Sequence, residues 1–90
     1  MSKSRKIKEI KRLVIIHDNE YYYNVVRKNI KKYRNEKNLT QEELADMAGI
    51  SRCYMTDIEN EKRKKHPSVE KLTYIADALD INIMELFRED

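Results

Sequence analysis

The stretch from Thr40 to Ile58 constrains the fold of this chain more than any other part of it. Thr40 and Glu43 have the spacing of a capping box, in which a hydroxyl and a carboxylate each accept from a backbone N–H at a helix start. Gly49 follows where a helix end favours a residue with positive φ, and Ser51 can cap a second short helix. The inward residues at helical spacing are Leu44, Ala45, Ala48, Met55 and Ile58. The pattern predicts a helix-turn-helix.

Three segments in and after this stretch carry a resemblance to a known family. They read Thr-Gln-Glu-Glu-Leu-Ala, Ala-Gly-Ile-Ser-Arg and Ile-Glu-Asn. In this order they resemble the helix-turn-helix domain of phage repressors of the Cro and cI type, often called the Xre family. The resemblance extends from about Val26 to Phe87. It implies an all-α, five-helix lambda-repressor-like DNA-binding domain, which we expect in residues 24–90, after an N-terminal extension at 1–23.

Length and composition exclude several classes of protein. Ninety residues suit one small domain, and the single glycine and single proline suit helices with short connections. The apolar runs are shorter than the ~18 residues that a membrane helix needs. The run Leu13–Ile16 is too short for the core of a signal peptide, and one cysteine allows no internal disulfide. We therefore expect a cytoplasmic protein without a membrane partner.

The charge is distributed unevenly along the chain. Residues 1–37 hold 12 Lys and Arg against 4 Asp and Glu, a net charge of +8, whereas residues 38–90 hold 7 against 12, a net charge of −5. A basic first third can be a solvated surface or can bind a polyanion. Beside the helix-turn-helix pattern, the asymmetry favours a nucleic-acid partner.

Residues 1–23 lie before the family resemblance and leave several interpretations open. The β-branched run in Arg12–His17 favours a short strand, preceded by a basic tail. Such a segment can pack on its own domain, pair with itself in a symmetric dimer, or dock a partner protein. The tail from Lys3 to Arg12 can also contact DNA as a flexible arm.

The first helix of the family is expected to begin after a cap at Asp18 or Asn19 and to end near Lys37. Its inward residues are predicted to be Tyr22, Val26, Ile30 and Tyr33, and its outward residues Arg27, Lys28, Lys31 and Lys32. The resemblance implies an ion pair between Arg34 and Glu59, which would fix the angle of the second helix of the motif.

The second half of the chain is predicted to supply a basic loop and two more helices. Ser68 is expected to cap a fourth helix with Leu72, Ile75, Ala76 and Leu79 inward. Asn82 and Glu85 repeat the capping-box spacing before a short last helix. The resemblance implies a left-handed backbone at Glu61 and Asp80, where the family commonly has glycine, and we expect a third such site at Asn38.

The candidate DNA-binding residues follow from the resemblance and from side-chain chemistry. In the helix after Ser51, Arg52 is the best candidate for guanine, because its planar fork fits O6 and N7. Thr56 can contact a thymine methyl or make a hydrogen bond, and Cys53 can contact a thymine methyl. Asp57 can accept from cytosine or orient Arg52. Other candidates, for flanking or phosphate contacts, are Ser51, Tyr54, Gln41, Asn60, Lys62, Arg63 and Lys64.

Enzyme and metal functions lack support in the sequence. There is no glycine-rich phosphate loop, and one Cys and two His give no zinc cluster of known spacing. We expect no catalysis, no cofactor and no metal. The prediction is a transcriptional regulator that binds double-stranded DNA as a homodimer and represses by occupancy. An antitoxin-like protein or an interaction module, with a partner protein as its main target, is the alternative.

Overall fold

The computed structural model describes residues 18–89, which form four α-helices and one 3-10 helix. The α-helices are α1 (Asn19–Glu36), α2 (Gln41–Ala48), α3 (Arg52–Glu59) and α4 (Val69–Ala78). The 3-10 helix spans Ile83–Phe87. The all-helical prediction therefore holds for the described residues. The strand predicted near residues 12–17 lies outside them, and the predicted boundary between residues 23 and 24 falls inside α1.

Each α-helix begins at a side-chain cap. Asp18, Thr40, Ser51 and Ser68 each accept from the backbone N–H three residues later. The Glu43 carboxylate in turn accepts from the backbone N–H of Thr40, which completes the predicted capping box. These caps satisfy donors that the first turn of a helix leaves without an intrahelical partner.

The prediction of a fifth α-helix was wrong, because the last element is a five-residue 3-10 helix. Asn82 accepts from the N–H of Met84, two residues later rather than three. The Glu85 carboxylate accepts instead from the Tyr33 hydroxyl at 3.1 Å and from Arg88. The tighter i to i+3 turn is common in short segments of this kind.

One apolar core joins all four α-helices and the 3-10 helix. α1 contributes Val26 and Ile30, and the 3-10 helix contributes Leu86. The inward residues predicted for α2, α3 and α4 are all buried: Leu44, Ala45, Ala48, Met55, Ile58, Leu72, Ile75, Ala76 and Leu79. The helix-turn-helix therefore sits on a scaffold made by α1, α4 and the 3-10 helix.

The predicted faces of α1 were wrong at two residues. Tyr22 is 43% exposed, because the first turns of α1 extend past the core and line a groove with Val69 and Phe87. Arg27, predicted to be outward, is only 4% exposed, and its Nη2 donates to Glu20 at 3.0 Å. Helical periodicity identifies one core face but does not show which other faces are covered by loops.

Asn29 is a buried polar residue that links α1 to the end of the described chain. Its Nδ2 donates to the carbonyl of Leu86 at 2.7 Å and to that of Arg88 at 2.9 Å. Both carbonyls lie at the end of the 3-10 helix, where the carbonyl groups have no N–H partner within the helix. The side chain therefore acts as a C-terminal cap from another helix.

Within residues 18–89, three residues other than glycine adopt positive φ. Asn38 and Asp80 do so as predicted, with φ of 58° and 59°. In the loop after α3 the left-handed residue is Lys64, with φ of 52°, and the prediction for Glu61 was wrong. The helix α3 ends in an extended residue, Asn60, and the left-handed residue comes three positions later than expected.

No helix within residues 18–89 is long and apolar enough to cross a membrane.

Candidate nucleic-acid interface

The helix α3 presents a polar face to solvent and an apolar face to the core. Arg52, Cys53 and Thr56 are exposed, whereas Met55 and Ile58 are fully buried. The Ser51 hydroxyl accepts from the N–H of Tyr54 at 3.0 Å, which fixes the start of the helix. The exposed face therefore begins at the first turn, which is the part of such a helix that enters a DNA groove.

The turn between α2 and α3 is closed by Gly49. Its φ is +74° in the left-handed region, which glycine adopts without a steric penalty. The next residue, Ile50, donates its N–H to the carbonyl of Ala45 at 3.0 Å. This is the 6 to 1 bond of a Schellman ending, and it sets the angle between the two helices.

A buried carboxylate links α1, α2 and α3. Glu59 accepts from Nε of Arg34 at 2.7 Å and from its Nη2 at 3.0 Å, so the pair is bidentate. The Arg34 Nη1 also donates to the carbonyl of Leu39. Gln41 donates from Nε2 to Glu59 Oε1 at 2.9 Å and accepts through Oε1 from the Thr56 hydroxyl at 3.2 Å. The structure thus brings Arg34 and Glu59 together, and it adds Gln41 and Thr56 to their network.

Two exposed ion pairs involve candidate DNA-binding residues. Arg52 Nη1 lies 3.9 Å from Glu42, and Arg63 Nε lies 3.6 Å from Asp57. The partner of Asp57 is therefore Arg63 of the loop, and not Arg52 as one of our interpretations had it. Because such exposed pairs contribute little, both arginines remain available to a polyanion.

The loop after α3 is ordered around Asn60. Asn60 Oδ1 accepts from the N–H of Lys62 at 2.9 Å, and its carbonyl accepts from the N–H of Arg63 at 3.0 Å. Lys62, Arg63 and Lys64 are exposed, whereas the ammonium group of Lys65 lies 5.2 Å from the centre of the Tyr54 ring. The loop therefore displays three of its four basic residues next to α3.

Tyr54 packs against the core at the flank of α3. Burial raises the pKa of its phenol, and Tyr23 raises it further. Tyr54 therefore stays neutral and serves as an apolar support for Lys65. Its part in DNA binding remains a prediction.

A second set of contacts fastens the end of the loop to α1, and sequence reasoning missed it. The His66 ring stacks on Tyr23 with centroids 4.3 Å apart, and its Nε2 lies 2.6 Å from Glu20 Oε1. The Tyr23 hydroxyl donates to the carbonyl of Pro67. The partners are more than 40 residues apart in sequence, so local patterns give no signal for them.

The described residues contain no group of three or more His, Cys, Asp and Glu side chains placed to hold a metal ion. Within the same residues Cys53 is a free, exposed cysteine.

The comparisons with known proteins agree with this geometry. Residues 30–86 match the family model HTH_3, described as helix-turn-helix, and the chain belongs to that family. It is 38% identical over 65 residues to the immunity repressor protein of Bacillus phage phi105, covering 72% of this chain and 44% of that protein. It is 32% identical over 65 residues to the transcriptional regulator SinR of Bacillus licheniformis, covering 72% and 58%. The chain thus spans about half the length of these two relatives.

Among solved structures, the chain resembles the restriction-modification controller protein C.AhdI from Aeromonas hydrophila. The TM-score is 0.67 at 31% sequence identity, and the match covers 72% of this chain and 96% of the other. The four-helix scaffold with its helix-turn-helix is therefore that of a DNA-binding fold of the Xre type.

Proposed function

We propose that this chain is a sequence-specific transcriptional regulator that represses by binding a two-fold symmetric operator as a homodimer. The observation that carries the proposal is the exposed face of α3, which is flanked by a basic loop. A buried ion pair holds α3 to α1, and a hydrogen bond from Gln41 holds it to α2. Its relatives are named as an immunity repressor, a transcriptional regulator and a control protein, which supports the same function.

The base-reading residues are proposed to lie on α3. Arg52 is exposed at the first turn, and its pair with Glu42 at 3.9 Å is too weak to compete with a bidentate contact to guanine. Cys53 and Thr56 lie on the same exposed face, with Asp57 half-buried beside them. A contact of the Arg52 kind gives about 1–3 kcal/mol of discrimination against the wrong base.

The phosphate-binding residues are proposed to flank α3 on both sides. Gln41 stands at the first position of α2, where unpaired backbone N–H groups favour an anion. Asn60, Lys62, Arg63 and Lys64 are exposed in the loop on the other side. Such contacts give affinity and salt dependence without reading sequence.

Two copies of α3 would enter successive major grooves about 34–36 Å apart, as in other dimeric helix-turn-helix proteins. Occupancy of the operator would then block polymerase. We place this activity in the cytoplasm.

The proposal is tested by selecting duplexes from a random pool at near-physiological salt and sequencing those that are retained. An enriched inverted repeat, bound by two chains per duplex, is the expected result. If no preferred sequence is retained, the proposed function is wrong.

A matched pair of variants tests the basic loop. The double variant Lys62→Glu, Lys64→Glu should lower affinity at least tenfold and reduce the magnitude of the slope of log K against log salt by about 4, since two phosphate contacts are lost in each of the two bound chains. The control Lys32→Glu, Arg88→Glu makes the same change in net charge in a groove between α1 and the C-terminal end. Equal losses of DNA affinity for both variants would show that binding depends only on the net charge of the protein and not on the basic loop.

A further inference from the structure

The buried carboxylate of Glu59 determines which groups on the DNA-facing side of α3 can donate a hydrogen bond and which can only accept one. The Glu59 side chain is 3% exposed, and both of its oxygens accept from Arg34. A carboxylate in this setting only accepts, so the Gln41 atom beside it must be the amide nitrogen, Nε2, at 2.9 Å. The Gln41 amide therefore has a single orientation, with Oε1 directed away from Glu59.

The orientation of Gln41 determines what Thr56 can offer. Oε1 of Gln41 lies 3.2 Å from the Thr56 hydroxyl oxygen, and an amide oxygen carries no hydrogen. The single hydroxyl hydrogen of Thr56 therefore points to Gln41. Thr56 is exposed on the face that the proposed function directs into the major groove, and it presents there only lone pairs and a methyl group.

We propose that Thr56 is a specificity-determining residue that accepts a hydrogen bond from the amino group of adenine or cytosine. The inference rests on the proposed function of the chain. In the major groove, adenine N6 and cytosine N4 donate, whereas guanine O6 and N7 and thymine O4 accept. Phosphate oxygens also only accept. A hydroxyl that has already donated its hydrogen can therefore hydrogen-bond only to the two amino groups.

Glu59 and Gln41 are positioning residues for this contact. They act through the direction of one hydroxyl hydrogen and do not themselves touch the base. The same arrangement leaves the second N–H of Gln41 to donate, which suits a phosphate at the start of α2. Gln41 thus presents a donor that suits a phosphate, and the neighbouring Thr56 presents an acceptor that suits the amino group of a base.

The first experiment compares operator selection by the native chain, Thr56→Val, Thr56→Ser and the control Thr73→Val. Valine keeps the shape and one methyl of threonine but has no hydroxyl, and Thr73 donates to a carbonyl within α4. Thr56→Val should lose the preference for adenine or cytosine at one position of each half-site, by roughly three- to tenfold for one hydrogen bond. Thr56→Ser should keep it, and Thr73→Val should leave every position unchanged.

The second experiment removes the base amino group itself. At the affected position, adenine is replaced by purine or cytosine by 2-pyrimidinone, which lack the exocyclic amino group. The loss of affinity should be roughly three- to tenfold larger for the native chain than for Thr56→Val. The loss measured with Thr56→Val gives the effect of the altered base pairing alone. Equal losses for the two proteins would overturn the inference.

The third variant, Gln41→Met, tests the positioning role. Without an acceptor at residue 41 the Thr56 hydroxyl is free to donate, so the preference at the same position should widen to guanine or thymine. A uniform loss of affinity with an unchanged preference would overturn the role of Gln41.

Two results separate the inference from the function on which it rests. An inverted repeat selected identically by the native chain and Thr56→Val keeps the function and overturns the inference. A native chain that selects no sequence overturns both.

Discussion

Arg27 is a buried residue whose hydrogen-bond donors are not all paired within the described part of the chain. Its Nη2 is paired with Glu20, but Nε and Nη1 are buried without a hydrogen-bond partner among the described residues. Burying a guanidinium costs free energy that one ion pair repays only in part. The ion pair with Glu20 therefore need not stabilise the fold relative to an apolar side chain of similar size.

The two partners should consequently respond differently to mutation. Arg27→Met should change the free energy of unfolding by only about 0–2 kcal/mol, and in the stabilising direction, because it removes the unpaired donors. Glu20→Ala should destabilise by about 2–3 kcal/mol, less than for a fully buried pair because Glu20 is partly exposed.

Urea unfolding followed by circular dichroism measures both. The double variant Glu20→Ala, Arg27→Met should recover the part of the Glu20→Ala loss that comes from the unpaired guanidinium, but not the part that comes from the lost contact with His66. A single Arg27→Met variant that unfolds more easily than the native chain would contradict this account.

Asp57 places a negative charge on the helix proposed to face DNA, and Arg63 partly neutralises it. Asp57→Asn should raise the affinity for non-specific duplex roughly three- to tenfold at low salt, because it removes a repulsion and frees a cation. Binding titrations at two salt concentrations measure the change. Asp46→Asn, an exposed acid on α2, is the control and should raise affinity less.

Local patterns predicted most of what happens at single residues, and distant contacts account for the failures. The caps at Thr40 and Ser51 and the positive φ of Gly49 depend on residues within a few positions, so the sequence contains their causes. The stacking of His66 on Tyr23 depends on a partner in another element. The burial of Arg27 depends on what covers its side of α1, since its ion-pair partner Glu20 lies in the same helix. No periodicity within one helix specifies such partners.

At the scale of elements, the turn between α2 and α3 decides how the DNA-facing helix is presented. A Cβ added at Gly49 would meet nothing within 4 Å, so the cost of a substitution there comes from its φ of +74° alone. Gly49→Ala should therefore destabilise by about 1–2 kcal/mol. Gly49→Asn should cost less, since asparagine tolerates the left-handed region better.

Thermal unfolding of both variants checks the difference between them. Equal losses for alanine and asparagine would mean that something other than backbone conformation determines the cost. Because the substitution lies outside the proposed contacts, the operator selected by Gly49→Asn should match that of the native chain.

The type of each helix could be predicted from the sequence about as well as the features of single residues. The four α-helices were expected from caps and apolar spacing, and their described bounds agree closely with those expectations. The last element was expected as an α-helix, but Asn82 caps it two residues ahead and Glu85 turns to Tyr33. The contact of Glu85 with Tyr33, 52 residues away, has no signal in the local sequence.

At the scale of the whole molecule, the question is where the folded unit begins. The family model matches from residue 30, and the sequence resemblance begins near Val26, yet α1 begins at Asn19 with its cap at Asp18. Residues 18–23 also supply Glu20 to Arg27 and Tyr23 to His66 and Pro67. The first helix therefore fastens the basic loop, although the family resemblance does not include its first turns.

Two truncations separate these contributions. Deletion of residues 1–17 keeps the cap at Asp18 and the contacts of Glu20 and Tyr23, so it is the reference for the longer deletion. Deletion of residues 1–23 removes the cap and the partner of Arg27, and should cost about 3–5 kcal/mol. In a domain of this size that is a large part of the total stability.

Urea unfolding of the two truncated chains beside the full chain measures the difference. Adding Arg27→Met to the longer deletion should restore part of its loss, because the unpaired charge is then absent. If deletion of residues 1–17 destabilises as much as deletion of residues 1–23, the stabilising contacts lie before Asp18 and the folded unit begins earlier than α1. If neither deletion matters, the contacts of Glu20 and Tyr23 contribute nothing, and the loop after α3 is held by α3 and α4 alone.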